Sequence, residues 1–200
     1  SRSIAESENR DWYVGETLSA AIGQSYNNFT PIQMAKYISM LANGGKNIDV
    51  SVIKTIIDSD GKEMSKNEID DFVNKKLGFS SNDNSEDLNI SQENLKAILE
   101  GMKGVTSESG GTAYSTFAGF NVEVAGKTGT AQVGNKTHGW FAGFAPYDDP
   151  EIAVVVVVEN VTHGGYTAEV ARDIFAEYFG MNITEITESQ EAIPSGQIIR

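Results

Sequence analysis

The sequence of 200 residues lacks cysteine and contains only two histidines. Without cysteine there is neither a disulfide framework nor a thiolate metal site, and two histidines are few for a zinc site, so we expect no metal and no cofactor. Basic side chains are also scarce, because 15 lysines and arginines stand against 28 aspartates and glutamates, for a formal net charge of −13. Such a surface repels phosphate backbones, and we expect no nucleic-acid partner.

Long hydrophobic runs are absent as well. The longest, Ile152–Val158, has the length of a strand, lies between Glu151 and Glu159, and is far shorter than the run of about eighteen apolar residues that spans a bilayer. The chain opens at Ser1-Arg2 with neither a signal peptide nor a methionine, as we expect of a processed product or an excised fragment. Its composition, 40% hydrophobic and 22% charged, is that of a globular protein, and we assign residues 1–200 to one domain.

Three helices are predicted from capping residues and hydrophobic spacing. Thr30-Pro31 is typical of a helix start, and Gly44-Gly45 ends that helix. Ser91 caps the second helix, and the third opens at Tyr166 or Thr167. The apolar residues at helical spacing are Ile32, Ala35, Ile38, Leu41 and Ala42 in the first helix, Leu95, Ile98, Leu99 and Met102 in the second, and Val170, Ala171, Ile174, Phe175 and Tyr178 in the third.

Three consecutive strands are predicted at Val122–Val133, His138–Ala145 and Ile152–Glu159. Their connections are of hairpin length, so the strands are antiparallel, and the third is apolar on both faces, so helices cover both sides of the sheet. The fold class is therefore α+β. A separate strand is predicted at Val50–Ile57, followed by a polar surface excursion over residues 58–90 with a short helix near 69–77, and residues 181–200 form a loose tail.

The richest chemistry lies in the first of the three strands, at Ala125-Gly126-Lys127-Thr128-Gly129-Thr130-Ala131-Gln132. A lysine here places a positive charge where it attracts an anionic substrate, and the two threonine hydroxyls are candidate hydrogen-bond donors. Strand alternation puts both hydroxyls on the face opposite Lys127 and Gly129. Because Gly129 has no side chain, an extended peptide could lie against the strand and add itself to the edge.

A phosphate-binding loop is the rival interpretation of Gly126-Lys127-Thr128. That motif requires a glycine at position 121, which is Asn121, and a helix after Thr128, where the sequence continues as a strand. The phosphate-binding interpretation fails on both counts.

The strand resembles the Lys-Thr-Gly strand of class B penicillin-binding proteins, the D,D-transpeptidases that cross-link peptidoglycan. Three further segments resemble the same family in the same order, at Ala21–Gln24, Thr30–Gly45 and His138–Pro146, and the similarity covers about residues 10–180. Ser25 departs from the family, which usually has glycine there. The resemblance implies a partial penicillin-binding fold, with an antiparallel sheet covered by helices on both faces.

The resemblance also implies roles for individual residues. Lys127 would assist proton transfer and bind the substrate carboxylate, and Thr130 would supply a backbone N–H to the oxyanion hole and its hydroxyl to the carboxylate. Thr128 and Gly129 complete the catalytic motif, and Thr128 and Gln132 are further substrate-binding residues. The implied ligands are a peptidoglycan stem peptide and β-lactam antibiotics. The parent protein would work with other cell-wall synthesis proteins on the outer face of the cytoplasmic membrane, held by an N-terminal helix that is not in this chain.

The nucleophile of that family, a serine in a Ser-x-x-Lys motif at a helix start, has no good candidate here. Ser51-Val52-Ile53-Lys54 fits the pattern, but its β-branched surroundings are a poor helix opening. The family's Ser-x-Asn motif is matched by Ser80-Ser81-Asn82, in a polar stretch where such matches arise by chance. We therefore expect the chain to be inactive by itself.

Two other functions remain open from the sequence. One is a non-catalytic module that binds a peptide or a partner protein through the same edge strand. The other is a class D β-lactamase or a related sensor domain, which also pairs a Lys-Thr-Gly strand with a Gly-Trp-Phe strand, although the Thr30–Gly45 segment favours the class B enzyme.

Overall fold

The computed structural model describes residues 2–25, 27–77, 87–161 and 165–181. Its elements, in chain order, are α1 (Arg2–Ser7), α2 (Val14–Ala21), α3 (Pro31–Ala42), α4 (Lys66–Leu77), α5 (Gln92–Ser107), α6 (Tyr114–Phe117), β1 (Ala125–Val133), β2 (Lys136–Ala145), β3 (Ile152–Val158) and α7 (Gly165–Tyr178). The predicted tail from residue 182 onward and the Ser80-Ser81-Asn82 match lie outside the described residues. The assignment of residues 1–200 to one domain stays a prediction.

The three strands form one antiparallel sheet in the order β1-β2-β3, as the sequence predicts. The β1–β2 hairpin closes where Val133 pairs with Lys136, and Gly134 takes a positive φ of 62° in the turn between them. On the other side of β2, Ala145 pairs with Ile152. The mixed architecture, with helices and a three-stranded antiparallel sheet, confirms the predicted α+β class.

Helices cover both faces of the sheet. On one face, α6 and α7 pack on the sheet through a core that includes Phe117, Phe141, Val154, Val156 and Phe175. On the other face, α3 and α5 pack through a second core that includes Ile38, Leu41, Leu95, Met102 and Phe144. Phe141, Phe144 and Phe175 are completely buried, so burial of these rings is a main source of the stability of both layers.

Two glycines let Phe141 lie across the sheet. Gly126 of β1 pairs directly with Gly143 of β2. A Cβ added at Gly126 would come within 2.5 Å of the Phe141 ring, and one added at Gly143 within 2.5 Å of the Ala125 carbonyl oxygen. The two glycines therefore leave the space that the buried ring occupies, immediately before Lys127 in β1.

The predicted helix caps are present. The Thr30 side chain accepts a hydrogen bond from the Gln33 N–H (3.3 Å), while the Gln33 side chain accepts one from the Thr30 N–H (2.9 Å), which forms a capping box at the start of α3. Ser91 Oγ accepts from the Asn94 N–H (3.2 Å) at the start of α5. These bonds satisfy backbone donors that the first turn of a helix leaves free.

The strand predicted at Val50–Ile57 is wrong. No strand lies beside it among the residues that the structure describes, and its one ladder contact there is an isolated bridge from Ile57 to Glu63, around a turn at Asp58–Gly61. Val52 is 91% exposed. β-Branched residues favour a strand only where a neighbouring strand and a covering face are available, and this segment has neither.

The buried face of α7 is also different from the predicted stripe. Ala171 and Phe175 are buried as expected, but Val170, Ile174 and Tyr178 are exposed. The buried face consists instead of Thr167, Ala168, Ala171, Arg172, Phe175 and Ala176. Small residues allow the helix to pack close to β2 and β3, so the face in contact with the sheet is the one with alanines and not the one with the larger side chains.

Candidate functional site

The candidate site lies along the outer edge of β1. Within the described residues β1 pairs with β2 on one side and with no strand on the other. An edge strand presents main-chain N–H and C=O groups that another extended chain can pair with. The middle of this edge carries Lys127, Thr128 and Gly129.

The side chains of β1 alternate between the two cores as the sequence predicts. Thr128 pairs with Phe141, which belongs to the core under α6 and α7, and Lys127 pairs with Ala142, which belongs to the core under α3 and α5. Thr128 and Thr130 therefore lie on the α7 face of the strand, and Lys127 and Gly129 lie on the α3 face.

Lys127 is exposed, and its ammonium group donates a hydrogen bond to the carbonyl oxygen of Thr128 at 2.6 Å. The side chain thus curls back along the strand instead of extending into solvent. A charged donor beside main-chain groups is suited to hold a carboxylate or to stabilise a developing anion.

The Thr128 hydroxyl has a partner that the sequence analysis missed. Thr128 Oγ1 lies 2.7 Å from Thr112 Oγ1, and either atom can be the donor. Thr112 belongs to the segment between α5 and α6, where the pattern Gly110-Gly111-Thr112 indicates only a chain break. No local signal links residues sixteen positions apart, so this contact becomes visible only in the folded chain.

Gly129, Thr130 and Gln132 differ in how much space and solvent surround them. A Cβ added at Gly129 would meet only Trp140 Cβ, at 3.4 Å, so the strand surface beside Gly129 has room for a chain lying against it. Thr130 is exposed. The Gln132 side chain donates to the Gly134 carbonyl oxygen at 3.2 Å and so closes the β1–β2 turn, and its substrate-binding role stays a prediction.

The start of β1 is fastened to α5. Thr106 of α5 hydrogen-bonds through its hydroxyl to the Val124 carbonyl oxygen. Lys103 donates to the Glu123 carboxylate at 2.9 Å, and this hydrogen bond raises the pKa of Lys103 above its ordinary value. The Lys103 ammonium also lies 4.6 Å from the centre of the Tyr147 ring, a distance suited to a cation–π contact. Side chains of α5 therefore fix the residues just before β1, the strand that carries the candidate site.

The structure gives Ser51 no catalytic surroundings. Ser51 lies in a segment without helix, and its hydroxyl bonds within a local turn, accepting from the Ile53 N–H at 3.0 Å and lying 3.1 Å from the Ile53 carbonyl oxygen. The prediction that residues 51–54 do not open a helix is confirmed. Within residues 2–25, 27–77, 87–161 and 165–181, the structure holds no cluster of three His, Asp or Glu side chains placed to bind a metal. None of the helices in these ranges is both long and apolar enough to cross a bilayer.

Comparison with known proteins gives consistent matches over most of the chain. The family model for the penicillin-binding protein transpeptidase domain matches residues 2–178. The peptidoglycan D,D-transpeptidase MrdA of Haemophilus influenzae is 32% identical over 195 residues, which cover 88% of this chain and 28% of MrdA. The structure of Pseudomonas aeruginosa PBP2 in complex with WCK 5153 is 33% identical, with a TM-score of 0.71, over 89% of this chain and 37% of PBP2.

A further solved structure is the complex between PBP2 and MreC from Helicobacter pylori. This PBP2 is 26% identical to the chain, with a TM-score of 0.61, over 88% of this chain and 29% of PBP2. The chain thus spans less than two fifths of the length of each of these relatives.

Proposed function

Because the chain belongs to the family of penicillin-binding protein transpeptidase domains, of the class B kind, we propose that it forms part of a serine D,D-transpeptidase that cross-links peptidoglycan. In this reaction the serine hydroxyl oxygen attacks the carbonyl carbon between the two terminal D-alanines of a stem peptide. The C–N bond breaks, and the released D-alanine takes up the proton lost by the serine. An amine of a neighbouring stem peptide then attacks the ester, the C–O bond to the serine breaks, and the serine regains a proton from the amine. Class B membership also favours this function over a class D β-lactamase or sensor.

The observation that carries the proposal is the open edge of β1 with Lys127 and Gly129 on the same face. A stem peptide that added itself to this edge would be held by main-chain hydrogen bonds, and Gly129 would let it lie close to the strand. Lys127 would then lie beside the peptide and attract its terminal carboxylate. Thr130 would supply its backbone N–H to the oxyanion hole, and its hydroxyl, which lies on the face opposite Lys127, would reach the carboxylate around the edge of the strand.

The nucleophile, in this proposal, is supplied by residues outside this chain. Ser51 sits in a local turn on an exposed segment, away from any helix start. The relatives are also much longer than the chain, so there is room in a longer protein for the Ser-x-x-Lys helix. A non-catalytic peptide-binding module is the second candidate, and it is favoured by the surroundings of Ser51, which lies outside any helix and bonds within a local turn.

By the same argument we propose that the full-length protein binds β-lactams and works on the outer face of the bacterial cytoplasmic membrane. We also propose that it acts together with other cell-wall synthesis proteins, and the solved complex of Helicobacter pylori PBP2 with MreC supports the proposal that it has a protein partner.

The test compares two lysine variants of the full-length protein. Lys127→Gln removes the charge at the site, and Lys136→Gln removes an exposed charge at the far end of the same hairpin. We expect Lys127→Gln to slow acylation by a fluorescent penicillin by at least about 100-fold, which is the size of a typical acid–base or electrostatic contribution. The acylation rate of Lys136→Gln should stay within about twofold of that of the unmutated full-length protein. Equal rates for the two variants would contradict the role of Lys127, and an unreactive parent protein that still binds stem peptide would favour the binding module.

A further inference from the structure

We propose that Thr112 is a positioning residue for substrate binding, and that it acts through the hydroxyl of Thr128. In this arrangement Thr112 donates its proton to Thr128 Oγ1, and Thr128 in turn donates its own proton to the carboxylate of the bound peptide or β-lactam. The carboxylate would lie at the strand edge, between the face that carries Lys127 and the face that carries Thr128. The inference rests on the proposed function, because it assigns the hydroxyl of Thr128 to an anionic ligand.

The hydrogen-bonding capacity of the two hydroxyls sets the direction. Each threonine hydroxyl has one proton and can accept through two lone pairs. The two oxygens are 2.7 Å apart, within hydrogen-bonding distance, so one of them is the donor. When Thr128 gives its single proton to a carboxylate, the donor in the pair must be Thr112. Hydrogen bonds that run in one direction polarise each other, so Thr112 makes Thr128 a stronger donor to the anion.

The backbone around Thr112 is held rigidly by α5. Ala113 is completely buried, and its N–H donates to the Val105 carbonyl oxygen at 3.0 Å. On the other side, Gly111 lies so close to the end of α5 that an added Cβ would come within 2.3 Å of the same carbonyl oxygen. Thr112 is therefore placed by two neighbours that have little freedom, and its hydroxyl is a fixed point beside a strand edge.

Thr128, in contrast, lies on an edge strand, and a contact from outside the strand is needed to fix the orientation of its hydroxyl. Its hydroxyl can rotate about the Cβ–Oγ1 bond. In the described part of the chain, β1 also has no second neighbouring strand that would hold its main chain on this side. The contact with Thr112 fixes the Thr128 hydroxyl. The Lys127 ammonium donates to the Thr128 carbonyl oxygen at 2.6 Å, and this bond fixes the main chain beside that hydroxyl. A preorganised donor binds an anion more strongly than one that must be ordered on binding.

The test measures the acylation rate of the full-length protein by benzylpenicillin, which carries a carboxylate, and by its uncharged methyl ester. Thr112→Val keeps the shape of the side chain and removes the hydroxyl, and we expect it to slow acylation by benzylpenicillin about fivefold while the ester changes by less than about twofold. Thr112→Ser should restore the rate with benzylpenicillin. In a Thr128→Val background, Thr112→Val should cause no further loss, because the two residues act as one unit.

The matched control is Thr106→Val, which removes another hydroxyl that links the α5 region to β1 but does not contact Thr128. It should lower the thermal stability and affect the two compounds equally. If Thr112→Val slows acylation by benzylpenicillin and by the ester equally, or if Thr112→Ser does not restore the rate with benzylpenicillin, the positioning role of Thr112 is wrong while the proposed function stands. If the parent protein is not acylated at all, the proposed function fails and the inference falls with it.

Discussion

Gly143 is the position where a single added methyl group should damage the sheet most. Its Cβ would lie 2.5 Å from the Ala125 carbonyl oxygen, 2.9 Å from the Phe141 ring and 3.0 Å from Gly126 Cα. The closest of these atoms belongs to the backbone of the neighbouring strand, and the ring is completely buried. Neither can move aside by a change of rotamer, so Gly143→Ala must push β1 and β2 apart.

The size of the effect follows from what the displacement breaks. Overpacking a core costs about 1–3 kcal/mol, and each ladder hydrogen bond that is weakened adds about 0.5–1.5 kcal/mol. With one or two bonds affected beside Gly143, we expect the free energy of unfolding to fall by about 2–5 kcal/mol. That is a large part of the 5–15 kcal/mol typical of a domain.

Gly129→Ala is the control on the same sheet. Its Cβ would meet only Trp140 Cβ at 3.4 Å, an ordinary contact, and alanine has less backbone entropy to lose than glycine. We expect its stability to stay within about 1 kcal/mol of the parent chain, while peptide binding at the β1 edge is weakened. Urea unfolding followed by tryptophan fluorescence measures both variants. If Gly143→Ala is no less stable than Gly129→Ala, the argument from close approach is wrong.

Two further changes test the helix starts. Thr30→Ala removes one half of the capping box of α3 and should cost about 1 kcal/mol in urea unfolding, and a cost near zero would show that the box does not stabilise the helix. At the start of α4, Glu68 accepts from the Ser65 hydroxyl and N–H, which lowers the pKa of Glu68 below its ordinary value of 4.5. Because a lowered pKa stabilises the folded state above the unfolded pKa, the stability difference between the parent chain and Glu68→Gln should be complete near neutral pH and shrink below about pH 4.5. A difference that is constant from pH 7 to pH 3 would exclude this carboxylate as its source.

Local sequence signals predict the sheet and the helices α3, α4, α5 and α7, whereas α1, α2 and α6 are not predicted. Thr30 and Ser91 are strong N-caps followed by clear helical spacing, and both begin helices in the structure. The three strands are separated by short turn-rich connections, which allow few pairings other than a meander. These elements are determined within a few neighbouring residues, and this is why the sequence is sufficient to find them.

The errors come from interactions that are not local. The β-branched run at Val50–Ile57 has the residues of a strand, but the described part of the chain offers it no strand to pair with, and most of its residues are exposed. On α7 the hydrophobic period predicts a stripe through Val170 and Ile174, but the helix packs by its small residues such as Ala168 instead. Both outcomes depend on what the rest of the chain places beside the segment.

Some features of the candidate site could be predicted from local sequence, and others depend on contacts between distant residues. The alternation of Lys127 and Thr128 between the two faces of β1 follows from strand geometry and could be predicted. The contact between Thr128 and Thr112 could not, because it joins a strand to a loop sixteen residues away. The Lys103–Glu123 pair, which fastens α5 to the start of β1, is of the same kind.

The most direct test of the central claim is the intact mass of two proteins after incubation with excess benzylpenicillin: the 200-residue chain and the full-length protein. We predict no covalent adduct on the chain, because the proposed nucleophile is a serine outside these residues, and one adduct on the full-length protein at that serine. A stoichiometric adduct on the chain itself, with Ser51 the first serine to examine, would contradict the account.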